Sequence, residues 1–134
     1  MVTDFANKSE KVIFGDDSIV IRKYINGIDG GRTLDTTDFP EKVVKAGHVI
    51  IAKDGVYKPM PLAMVEDCYV YSALPEGFKY VGVLYRSVLA SKPVAAIMTW
   101  GEVNIEAVPF AMDTIMDAFT AECRFIDFKK DEEA

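Results

Sequence analysis

The residue pattern predicts a mainly β chain with one short helix near its C-terminus, an α+β architecture arranged as a small barrel or sandwich of hairpins. Three observations carry this prediction. First, Ala46 to Met60 holds an apolar run, Val49-Ile50-Ile51-Ala52, then Asp54-Gly55, a pair suited to a two-residue turn with positive φ, then Val56-Tyr57 as a return strand that Pro59 closes. Second, in Glu102-Val103-Asn104-Ile105-Glu106 apolar residues occupy every second position, the mark of a sheet with one wet face. Third, the period then changes, because Met112, Ile115, Met116 and Phe119 follow the i, i+3, i+4, i+7 rule of a helix with one buried stripe.

Taken in order, residues 1–17 read as a polar N-terminal arm, residues 18–128 as one β-rich domain and residues 129–134 as a charged tail. Val12 to Phe14 is a short apolar run, and Gly15-Asp16-Asp17 turns the chain into a strand over Ser18 to Tyr24. An arm of this kind suits strand addition to the edge of a partner's sheet. Ile25 to Pro40 is dense in turn residues and reads as an irregular connector. After the Ala46 to Met60 hairpin, Cys68 to Tyr71 is a candidate strand, and Leu74-Pro75-Glu76-Gly77 is a turn. Tyr80 to Tyr85 and Pro93 to Thr99 are strand-like, with Trp100-Gly101 leading into the alternating segment. The helix is placed near Pro109 to Ala121, with proline in its first turn where the missing N–H costs nothing. Arg124 to Phe128 reads as a final strand.

Composition narrows the function classes. The 134 residues fit one domain, and half of them are hydrophobic, enough to bury a core. A net charge of −6 argues against a nucleic-acid backbone as partner, since that affinity comes from clustered Lys and Arg. No apolar run reaches the ~18 residues that a membrane-spanning helix needs. The opening MVTDFANKSEK lacks the basic head and apolar stretch of a signal peptide, so the expectation is a soluble chain that starts where it is written and is made in the cytoplasm. Cys68 and Cys123 lack metal-site spacing and read as reduced thiols.

Candidate chemistry is sparse. His48 is the single histidine, so any His-dependent triad or metal site would rest on it, and beside Gly47 it reads as a turn or strand-end residue. Neither a phosphate-binding nor a dinucleotide-binding glycine motif occurs. Leu34-Asp35-Thr36-Thr37 is similar to the Leu-Asp-Thr-Gly of dimeric aspartic proteases, with Thr37 in place of the glycine. Lys53 at the Asp54-Gly55 turn is placed like the modified lysine of lipoyl and biotinyl carrier domains. Aromatics from Tyr57 to Trp100, among them Tyr69, Tyr71 and Phe78, could line a sugar-binding face, and otherwise belong to the core or a subunit interface. The expectation is a non-enzyme with no cofactor and no metal.

The order of these segments resembles the head decoration proteins of tailed bacteriophages. The resemblance is carried by Ala46, Gly47, Val49, Asp54, Gly55, Tyr57 and Pro59, then Val81-Gly82-Val83-Leu84, Gly101 and Val103, and the helix and strand that follow. It covers about two-thirds of the chain, and the 45 residues before Ala46 make a longer leader than in the simplest members. The resemblance implies a β-tulip fold and a structural role on the outer surface of the virion. The partner would be the major capsid protein, and the protein would be a homo-oligomer, with a trimer favoured. On that expectation the capsid-binding residues lie in the leading segment: Phe5, Val12, Ile13, Phe14, Ile19 and Ile21. The alternatives are a carbohydrate-binding head-fibre module that uses Tyr69, Tyr71 and Phe78, and a lipoyl- or biotinyl-type carrier.

Overall fold

The computed structural model describes residues 17–28 and 31–129. A one-turn helix, α1 (Asp17–Val20), runs straight into β1 (Ile21–Gly27). The short strands β2 (Arg32–Thr33) and β3 (Val43–Val44) follow. Next come two hairpins, β4 (Val49–Lys53) with β5 (Val56–Pro59) and β6 (Leu62–Val65) with β7 (Cys68–Tyr71). β8 (Lys79–Leu84), β9 (Val88–Leu89), β10 (Val94–Ala95) and β11 (Ile97–Asn104) lead to α2 (Met116–Glu122) and β12 (Ile126–Lys129).

The main sheet has the order β1-β11-β8-β4-β5, and β12 lies parallel beside β11. Among the described residues, three two-stranded ribbons form beside it: β2 with β10, β3 with β9 and β6 with β7. The fold is thus mainly β with several antiparallel sheets; among the described residues it has two helices, and no barrel closes.

Both faces of the sheet are covered, which explains why Val49-Ile50-Ile51 is a continuous apolar run and not an alternating one. Val49 and Ile51 point into a first core with Met98, Val103, Met112, Phe119 and Ile126. Ile50 points the other way, into a second core with Leu34, Val44, Leu84, Ala95 and Ile97. The 105–125 region and the base of the β6–β7 ribbon cap the first core, and the connector that carries Leu34 and Val44 caps the second. Gly82 lets the sheet close here, since a Cβ at that position would collide with the Met98 carbonyl.

The Asp54-Gly55 turn forms as predicted, with φ of 51° and 84°. Other elements depart from the sequence reading. Residues Asp17–Val20 form a helical turn, so the predicted strand starts at Ile21. The C-terminal helix starts at Met116 and not near Pro109, because Met112 and Ile115 reach the core from turns, the Ile115 N–H bonding to the Met112 carbonyl at 3.0 Å. Ile97–Asn104 is one strand through Trp100-Gly101. Lys129 belongs to β12, which leaves 130–134 outside the described residues. The parallel pairing of β11 and β12 needs a crossover, and the segment bearing α2 supplies it.

Candidate interaction surface at the leading strand

The chain is fastened to the body at the start of β1. The Asp17 carboxylate accepts hydrogen bonds from the Ser87 N–H (2.9 Å) and the Ser87 hydroxyl (2.7 Å). The same hydroxyl oxygen accepts from the Ala46 N–H (2.9 Å), so one serine joins α1, the loop after β8 and the approach to β4. β1 then pairs along β11 with three register shifts. Among the described residues β1 is the terminal strand of the sheet, so one row of its backbone groups has no strand partner there. Bulges and the charges of Arg22 and Lys23 are the usual means by which an edge resists indiscriminate pairing.

Around this edge lies a mixed surface. Glu102 sits between Arg22 (3.9 Å) and Lys129 (3.7 Å). With Ser18, Ile19, Lys23 and Asn104, the first two of these line an open depression of about 420 Å³. Tyr24 packs on Tyr85 with centroids 4.5 Å apart yet stays 41% exposed, and Ile25 is 42% exposed. Trp100, directly opposite Asn26, packs on Phe125 at 5.7 Å, and both rings face solvent, at 46% and 65%. Exposed aromatic and aliphatic groups beside a free strand edge offer a partner both backbone hydrogen bonds and apolar area.

The predicted capsid-binding residues separate on this framework. Phe5, Val12, Ile13 and Phe14 lie outside the described residues. Ile19 is exposed at the rim of the depression, whereas Ile21 is buried in the first core opposite Val103. The glycan-facing set does not assemble into one face. Tyr71 is buried, and its phenol oxygen accepts from the Val49 N–H (3.2 Å); burial raises its pKa. Phe78 is half-buried beneath the ammonium groups of Lys53 and Lys58, 5.9 and 5.6 Å from its centroid, and Tyr69 is half-buried opposite Met64. The exposed ring pair is instead Trp100 with Phe125. Phe125, predicted as a strand residue, lies in the turn before β12.

The remaining candidates are also placed. Lys53 lies back over Phe78. Asp35 is exposed, and hydrogen bonds from the side chain and N–H of Thr37 hold its pKa below the usual value. His48 is wholly buried. Cys68 and Cys123 are both free thiols; burial and then the Glu122 carboxylate push Cys123 up to about 12. No group of three potential metal ligands occurs among the described residues. No family model, curated protein or solved structure matches this chain.

Proposed function

We propose that this protein is a non-catalytic structural component of a phage virion that binds the outer surface of the capsid and stabilises the head. The observation that carries the reading is strand β1, terminal in the sheet among the described residues, with Ile19, Tyr24 and Ile25 exposed on and just before it and the exposed Trp100–Phe125 pair on and beside the next strand, β11. The resemblance of the segments from Ala46 onward to head decoration proteins supplies the partner: neighbouring copies of a major capsid protein, met by a homo-oligomer, with a trimer favoured. Binding across subunits of the mature shell lowers the free energy of that state alone, and so stabilises it. Residues 1–24 make the contact by adding a strand to the capsid sheet. Among the described residues, none of the groups singled out for chemistry combines with others into a reactive constellation, which suits a role that is thermodynamic.

Co-sedimentation with phage heads stripped of accessory proteins tests this. The full chain should bind saturably at symmetry-related outer positions. Deletion of Met1 to Lys11 should abolish binding and leave the melting transition unchanged, and undiminished binding by the truncated chain refutes the proposed contact. A second reading, carbohydrate binding by an adhesive head-fibre module, draws support from the exposed Trp100–Phe125 pair, because exposed aromatic rings offer apolar faces to sugars. Glycan-array binding lost in Trp100→Ala, with no binding to heads, would favour it.

A further inference from the structure

The least expected group in the molecule is His48. It is fully buried, yet it stands at a junction of connections and not in the middle of the sheet. Its backbone is fixed, the N–H bonding to the Lys45 carbonyl (3.0 Å) and the carbonyl accepting from the Leu84 N–H (2.9 Å). Its ring is contacted by parts that come from elsewhere. Phe39 arrives from the connector between β2 and β3, Tyr71 from β7 and Phe110 from the segment after β11, with centroids at 5.4, 5.2 and 5.6 Å, all edge-on. Met60, between β5 and β6, places its carbonyl 2.9 Å from Nε2. A carbonyl only accepts, so Nε2 carries a proton, and the ring is neutral as long as Nδ1 carries none. Among the described residues, Nδ1 is buried without a hydrogen-bond partner.

We propose that His48 is an acid-sensitive latch: while neutral it clamps the Phe39 connector, the base of the β6–β7 ribbon and the Phe110 segment to the sheet, and protonation releases them. A proton on Nδ1 would place both a charge and an unmet donor inside an apolar cage, and burial of either is costly. The Phe39 and Phe110 segments are connections and Tyr71 belongs to a separate two-stranded ribbon, whereas His48 sits at the edge of β4 in the main sheet, so these outer parts yield first. Among the described residues, no neighbouring charge relieves the imidazolium. The one titratable group against the ring, among the described residues, is the Tyr71 phenol, which burial keeps protonated. Asp35, Asp38 and Lys42 on the connector, Lys45 beside His48, Glu66 and Asp67 on the ribbon, and Glu106 and Asp113 on the Phe110 segment are all exposed; Glu41 and Lys58 are half-buried. Burial pushes His48 down to about 4, with the Met60 carbonyl opposing. The folded value lies below the unfolded 6.5, so the stabilisation is complete above pH 6.5 and is lost as pH falls from there to about 4. Over that window the opening constant rises about tenfold per pH unit, roughly 300-fold in all.

Because His48 is the only histidine, its ring titration can be followed by NMR in the full chain from pH 8 to 4, alongside amide exchange corrected for intrinsic rates. The ring should stay neutral with the proton on Nε2 down to about pH 5. The amides of Met60 and Ser72, which bond to the Val49 and Pro61 carbonyls, should gain exchange tenfold per pH unit below 6.5, while that of Leu84 stays protected. In His48→Phe that acid-dependent gain should vanish. If the variant does not fold, the wild-type ring titration and the order of exchange decide the matter. A ring titrating near 6.5 in the folded protein, an unchanged acid profile in His48→Phe, or simultaneous loss of protection at Leu84 overturns the proposal.

Discussion

At the scale of single residues, burial and not residue type decides what each aromatic does. Phe119 is fully buried and packs edge-on against Tyr80 and Phe128, at 5.6 and 5.7 Å. Phe119→Ala should therefore cost about 3–5 kcal/mol in urea denaturation, through lost transfer energy and the cavity left behind. A loss below 1 kcal/mol would show that the helix packs elsewhere. Phe119 was legible beforehand because helical spacing marks a buried stripe. The fates of Tyr71 and Trp100 were not, since both stand in apolar strand-like segments and local pattern does not distinguish the face that meets a neighbour from the face that meets water. Ile21 shows the same limit: it lies in a leading segment suited to a partner's sheet edge, and it is core because β11 places Val103 opposite.

At the scale of elements, turn chemistry separates what the sequence discloses from what it hides. Asp54-Gly55 announces its hairpin, because glycine takes positive φ without steric cost. The β6–β7 ribbon turns through Glu66 and Asp67, whose φ values of 51° and 66° place both in the left-handed region with no glycine to signal it. That conformation costs an ordinary L-residue about 1–2 kcal/mol, less for Asp. Replacing the pair by Asn-Gly should stabilise the protein by about 1 kcal/mol, read as a raised urea midpoint at unchanged slope. A lowered midpoint would mean that these side chains make contacts worth more than the strain. The late start of α2 has a similar origin, since Met112 and Ile115 satisfy helical spacing while the backbone between them forms only a turn.

At the scale of the whole molecule, the net charge of −6 sets the behaviour toward polyanions, and the chain should show no retention on duplex DNA at low salt. Retention that weakens steeply with salt would reveal a basic face strong enough to override the total. The mainly β character, the central hairpin, the existence of a C-terminal helix and final strand, and the scarcity of reactive groups were all determined by the sequence alone. They depend on local quantities: period, turn residues and composition. Tertiary structure alone decided that the sheet is covered on both faces, that β12 runs parallel to β11, that β1 is the terminal strand among the described residues, and that His48 is closed inside Phe39, Tyr71 and Phe110. Each of these joins residues far apart in the chain, and such pairings are selected by mutual burial and backbone hydrogen bonding that no single segment encodes.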